Sequence, residues 1–149
     1  DCRTYPKSLR RLPRLSLFIY KIDMAAGRYS FVIEQGSTLN LELQYKDSSG
    51  NPINLTGYSG RMQVRPSVGS ETVYLTLSSS LNADGTGLNF SGSSNLNPPT
   101  SGTIAIYISA PTSSQLNFDA AVYDLELTSG TVVTRLLEGQ IKLSKEVTR

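Results

Sequence analysis

The sequence predicts an all-β, two-layer sandwich of about 7–9 short strands, and three observations carry that reading. First, apolar and polar residues alternate over short segments. In 38–46, Leu39, Leu41, Leu43 and Tyr45 fall on one side, and Asn40, Glu42, Gln44 and Lys46 on the other. Side chains two apart share a face of a strand, so one face enters a core and the other meets water. Second, turns rich in Gly, Pro, Asn, Asp and Ser recur about every 8–12 residues, and no segment has a strong helical period. Third, Asp119-x-Ala121-x-Tyr123-x-Leu125 has the spacing of the tyrosine corner of immunoglobulin-like domains, in which a Tyr lies two residues before a core cysteine. Leu125 takes the cysteine position here, with Leu41 or Leu43 as its expected partner on the opposing sheet. Aliphatic packing then replaces the disulfide, as an intracellular assembly site requires. The expected architecture is an immunoglobulin-like antiparallel β-sandwich over residues 28–149, preceded by an N-terminal docking arm, residues 1–27.

Taken in order, residues 28–35 form the first body strand, ended by Gly36-Ser37, and 38–46 the second. The run 47–52 (D-S-S-G-N-P) is a turn: Gly tolerates positive φ, Asp and Ser bond their own backbone, and Pro cannot continue a ladder. A second turn at Thr56-Gly57 opens the next strand. Tyr58, Met62 and Val64 fall on its core side, Arg61, Gln63 and Arg65 on a basic outer side, and Pro66 stops it. Residues 71–78 are a strand with Val73, Leu75 and Leu77 inward. Residues 79–102 are rich in Ser, Asn and Gly, contain a short strand at Leu88 and Phe90, and close at Pro98-Pro99. Loops of that length are usually functional or mobile. Ile104, Ile106 and Ile108 point inward from 103–109, and one helical turn is expected around 113–116. Tyr123, Leu125 and Leu127 share a face of 119–127. A hairpin at Ser129-Gly130 leads into a last strand or strand pair over 131–143, with a bulge or bend at Gly139.

A chain of 149 residues fits one domain with a single core. The net charge of +2 is uneven. Residues 1–23 carry six basic and two acidic side chains, net +4, and the remainder is net −2. Cys2 is the only cysteine, so no intrachain disulfide forms. Three readings of the arm stay open. Its order, basic then apolar, is that of a signal peptide, but the apolar run is short, follows Pro13 and ends at Lys21. Met24 looks like a natural start, which makes the arm an addition to a complete domain or a disordered basic tail. Alternatively the arm docks on a neighbouring subunit. Leu15, Leu17 and Ile19 alternate with Ser16, Phe18 and Tyr20, a pattern that adds as a strand to a sheet edge. On that reading the docking residues are Arg10, Arg11, Arg14, Leu15, Leu17, Phe18, Ile19 and Tyr20.

No catalytic constellation accompanies this pattern. The chain has no histidine, hence no base for a serine nucleophile of the usual kind and none of the commonest metal ligand. The twelve acidic residues are scattered; Asp84 stands alone in a glycine-rich turn, and Asp124 and Glu126 share a strand face that reads as solvated. No Gly-rich phosphate loop precedes a helix. The expectation is a non-enzyme with no cofactor and no metal. Arg10, Arg11 and Arg14 beside Phe18 and Tyr20 are too few for a nucleic-acid partner. The longest apolar run falls far short of the ~20 residues of a membrane span. Two Asn-X-Ser/Thr triplets, at Asn54 and Asn89, read as chance matches in a chain this rich in Ser and Thr.

The stretches N-P-I-N-L-T-G-Y-S-G-R-M-Q-V-R (51–65) and Y-D-L-E-L-T-S-G-T-V-V-T-R-L-L-E-G-Q-I-K-L-S-K-E-V-T-R (123–149), with E-Q-G-S-T at 34–38, resemble a family of small proteins encoded among the structural genes of tailed bacteriophages and prophages. Related wording occurs in the N-terminal immunoglobulin-like domain of lactococcal-phage baseplate upper proteins. The resemblance covers roughly residues 28–149, and its motifs are structural: turn glycines, core apolars and outward arginines. The fold-defining positions expected in this chain are Leu41, Leu43, Gly57, Tyr58, Met62, Asp119, Tyr123 and Leu125. The resemblance implies a virion component assembled in the bacterial cytoplasm. The implied partners are other virion structural proteins (tail, baseplate, fibre or capsid subunits), met in multiple symmetric copies. A tail or baseplate adaptor, a capsid-decorating protein and a host-surface glycan-binding module using 79–102 are all compatible with it. That loop holds only Phe90 to stack on a sugar, which disfavours the last.

Overall fold

The computed structural model describes residues 16–20 and 27–148. The elements are β1 (Ser16–Tyr20), β2 (Gly27–Arg28), β3 (Phe31–Glu34), β4 (Leu39–Lys46), β5 (Ser59–Arg65), β6 (Leu75–Ser78), β7 (Gly87–Asn89), β8 (Thr103–Ile108), α1 (Ala110–Ser114), β9 (Ala120–Ser129) and β10 (Val132–Ser144). They form two sheets. One runs β1-β4-β8-β7; the other runs β2-β10-β9-β5-β6, with β3 also on β10. In immunoglobulin terms β4, β8 and β7 stand as strands B, E and D, and β10, β9, β5 and β6 as G, F, C and C′. The fold is thus the β-sandwich that the alternation and turn spacing predict.

The two sheets meet through their apolar rows. Leu41, Leu43 and Tyr45 of β4 and Ile104, Ile106 and Ile108 of β8 are buried with Met62 and Val64 of β5, Tyr123, Leu125 and Leu127 of β9, and Leu137 and Ile141 of β10. One continuous cluster holds all of them. Leu41, Leu43 and Leu125 are at most 2% exposed, so aliphatic contact occupies the place where related sandwiches put a disulfide. Fully burying each such side chain is worth about 1.5–3 kcal/mol of transfer free energy. Gly57 (φ +82°) makes the turn before β5, and Tyr58 follows it, half-buried against the core.

Three local expectations are corrected. The strand expected over 28–35 is broken at Tyr29-Ser30, leaving β2 and β3 as separate parallel partners of β10. The Tyr29 N–H still reaches the Glu138 carbonyl of β10, but the ladder breaks after it: the Tyr29 carbonyl accepts from the Tyr123 hydroxyl, and the Gln140 N–H donates to the Ser30 hydroxyl. Val73, expected inward, is 37% exposed. The Ser70 hydroxyl accepts the Thr72 N–H, which holds the chain in a turn, and pairing with β5 begins only when the Tyr74 N–H reaches the Val64 carbonyl. The irregularity in β10 lies between Arg135 and Leu137, not at Gly139, which pairs regularly with Tyr123. Glycine stands at 139 for another reason: a Cβ there would run into the backbone of Tyr29.

Candidate partner interface

Four features of the surface position anything this chain can hold. The first is the outer edge of β4. Its inner edge bonds β8 over six residue pairs, Leu39 to Gln44. The other edge receives β1 in parallel register, from Ser16 opposite Glu42 to Tyr20 opposite Lys46. The apolar stretch of the arm is therefore a strand at a sheet edge, and the edge belongs to its own chain. Of the arm residues singled out by sequence, Leu17, Phe18, Ile19 and Tyr20 lie on this strand. Arg10, Arg11, Arg14 and Leu15 lie outside the described residues.

The second feature is the loop following β7. It lies along the outward row of β4 and β8. The Glu42 carboxylate accepts from both the backbone N–H and the hydroxyl of Ser93, each at 2.9 Å. Asn97 donates to the Thr103 hydroxyl, and Gln44 donates to the Ser101 carbonyl. Thr103, on the outward row of β8, is only 5% exposed. The polar stretch that sequence reads as a long functional or mobile loop is thus tied down at several points, with a 3-10 turn at Pro99–Ser101 closing it. Asn54 and Asn89, the heads of the two Asn-X-Ser/Thr triplets, spend their side-chain oxygens on the backbone N–H two residues on, which marks them as turn formers.

The third is a polar clamp at the start of α1. The Ser109 hydroxyl donates to Asp84 at 2.6 Å, and the Thr86 N–H donates to the other carboxylate oxygen at 2.9 Å. Ser109 also caps the helix by accepting the Thr112 N–H. These hydrogen bonds, that from Ser109 foremost, pull the Asp84 carboxyl down from its ordinary 3.8 to about 2. Asp84 does not stand alone, as the sequence suggests; it ties the 82–86 turn to the end of β8. The missed partners, Ser109 and Thr112, lie 25 and 28 positions away, beyond any local pattern.

The fourth is the outer face of the larger sheet, which carries a shallow concavity of about 490 Å³. Its charges are interlocked. Arg135 reaches Asp124 at 3.5 Å and Glu138 at 3.4 Å, and Arg28 reaches Glu138 at 3.2 Å. Arg65 donates to the Ser70 carbonyl and to Gln63. In register, Glu126 faces Arg61 on one side and Arg135 on the other. Surface pairs of this kind contribute about 0–1 kcal/mol each to stability. What they supply chemically is an ordered array of donors and acceptors suited to noncovalent contact. Among the described residues no three carboxylate or cysteine side chains group as a metal site, and no helix of the described chain is long and apolar enough to cross a membrane.

Beneath that face the tyrosine-corner residues take different roles from those the spacing suggests. The Tyr123 hydroxyl donates to the Tyr29 carbonyl at 2.6 Å, 94 positions away, rather than to backbone just upstream. Phe31 packs edge-on against Tyr123 with ring centroids 5.2 Å apart. Burial, then the neighbouring Tyr29, pushes the Tyr123 phenol well above its ordinary value. Asp119 lies in solvent and pairs with Lys145 at 3.1 Å. The corner is replaced by a tie between the β2–β3 segment and the centre of β9.

No family model and no curated protein matches the chain. Solved structures do. The N-terminal domain of phage TP901-1 ORF48 is similar at 10% identity and a TM-score of 0.45, over 89% of this chain and 98% of that one. A chicken TCR crystal structure is similar at 15% identity and a TM-score of 0.41, over 80% of this chain and 54% of that one. Neither likeness bears on activity or partner.

Proposed function

We propose that this chain is a non-enzymatic structural subunit of a bacteriophage virion, attached at the tail or baseplate and held by neighbouring virion proteins. The observation that supports the reading is the two-sheet β-sandwich with an interlocked polar face built from 51–65 and 123–149, the stretches whose wording resembles phage structural-gene products. In space those stretches are one patch: β5 pairs with β9 over seven residue pairs, Ser59–Arg65 against Thr128–Val122, and β9 pairs with β10. They carry most of the interlocked charges of the outer face. The role is passive. Sheet edge and polar face bury surface on neighbours, and repeated copies add avidity.

The test is incorporation. Phage particles are assembled in cells that supply either the full chain or a form lacking residues 1–23, and the purified particles are probed for each. Full chain in the particles with loss of the truncated form, itself still folded by circular dichroism, is the expected result. Normal incorporation of the truncated form contradicts the docking role of the arm.

A further inference from the structure

We propose that the outer edge of β4 is an exchange site, which takes β1 from a second copy of this chain. Three observations lead there. Within the described residues β1 is paired to β4 alone, through five register positions. Removing it breaks no pairing inside the two sheets formed by β2 to β10. Its link to the body is the six-residue run 21–26, leading to β2 in the other sheet. A strand held by one partner strand and joined to the body by one short connection is an element that copies exchange readily, because each hydrogen bond lost in one copy is regained in identical form in another. The vacated edge of β4 presents a row of bare N–H and C=O groups that a strand of the same sequence satisfies.

Bonds within one copy and between two are the same, so local concentration decides the balance, and exchange becomes the dominant state where copies are crowded together. The proposal deepens the virion reading and relies on it only for the place where copies are crowded.

The register supplies the test. In a Cys2→Ser background, Tyr20→Cys and Lys46→Cys are made in separate full-length chains carrying different tags, co-expressed, concentrated and treated with a short bismaleimide. Tyr20 faces Lys46 in the register, so exchange gives a covalent heterodimer of twice the 16.2 kDa chain mass, in clear excess over the dimer from either variant alone. Phe18→Cys with Gln44→Cys repeats the measurement two positions earlier, should the first pair fold poorly. No heterodimer above the single-variant level with either pair overturns the proposal. A failed cross-link with the protein still present in purified particles removes exchange and leaves the virion reading standing.

Discussion

At the scale of single residues, the tie between Tyr123 and Tyr29 holds the N-terminal body segment to the sheet. Alternation placed Tyr123 in the core, but its hydrogen-bond partner lies 94 positions away, a distance no local pattern encodes. Tyr123→Phe keeps the ring and leaves the Tyr29 carbonyl without its donor. It is expected to cost about 1 kcal/mol or more, read as a fall in Tm of about 2–4 °C at this chain length. An unchanged Tm would contradict the tie. Asp84 gives a pH signature. Its folded value lies below its ordinary one, so the stability it contributes is fully present above the ordinary 3.8 and is lost as pH falls toward about 2. Asp84→Asn should therefore lower Tm at pH 7, and the gap to the native protein should close between pH 4 and pH 2. A gap independent of pH would show that the carboxylate charge is not what the clamp uses.

At the scale of elements, the period-two rows were legible because each strand buries one face: β4, β5, β8 and β9 lie where alternation puts them. The edges of the pattern were not. β3 starts late and β6 starts late because the Tyr29 carbonyl and the Ser30 and Ser70 hydroxyls take backbone or side-chain partners outside the ladder, and a hydrophobicity pattern does not report where a peptide finds its partner. Gly139 shows the same limit. Sequence marks it as a break in the strand, whereas the structure uses it as the gap through which the Tyr29 backbone approaches β10. Gly139→Ala should cost about 1–3 kcal/mol as overpacking, with amide protection lost chiefly over β2 and β3. Loss spread evenly over the sandwich would contradict that local assignment. The loop after β7 is a further case. Its composition reads as mobile, yet one carboxylate two strands away pins it. Glu42→Ala should raise amide exchange at Ser93 about tenfold, the equivalent of about 1.4 kcal/mol for the charge-assisted pair of bonds. Equal exchange in both proteins would mean that the loop is held elsewhere.

At the scale of the whole molecule, the fold class was readable because a two-layer sandwich needs only alternation and frequent turns. The candidate interface was readable only in part. The apolar stretch of the arm was legible as a strand seeking an edge, but which edge it takes depends on three-dimensional neighbours. The lattice of charges on the larger sheet needs β5, β9 and β10 side by side before Arg135 meets Asp124 and Glu138. Both features suit the virion role proposed above, in which neighbouring copies or subunits grip the molecule. Quantitative mass spectrometry of gradient-purified phage particles, with the major capsid protein as the internal standard, tests that claim most directly. The account predicts this chain at a fixed low copy number per particle, a small multiple of three or six. Tens to hundreds of copies would move it from tail to capsid surface, and its absence from particles made in cells that express it would contradict the account.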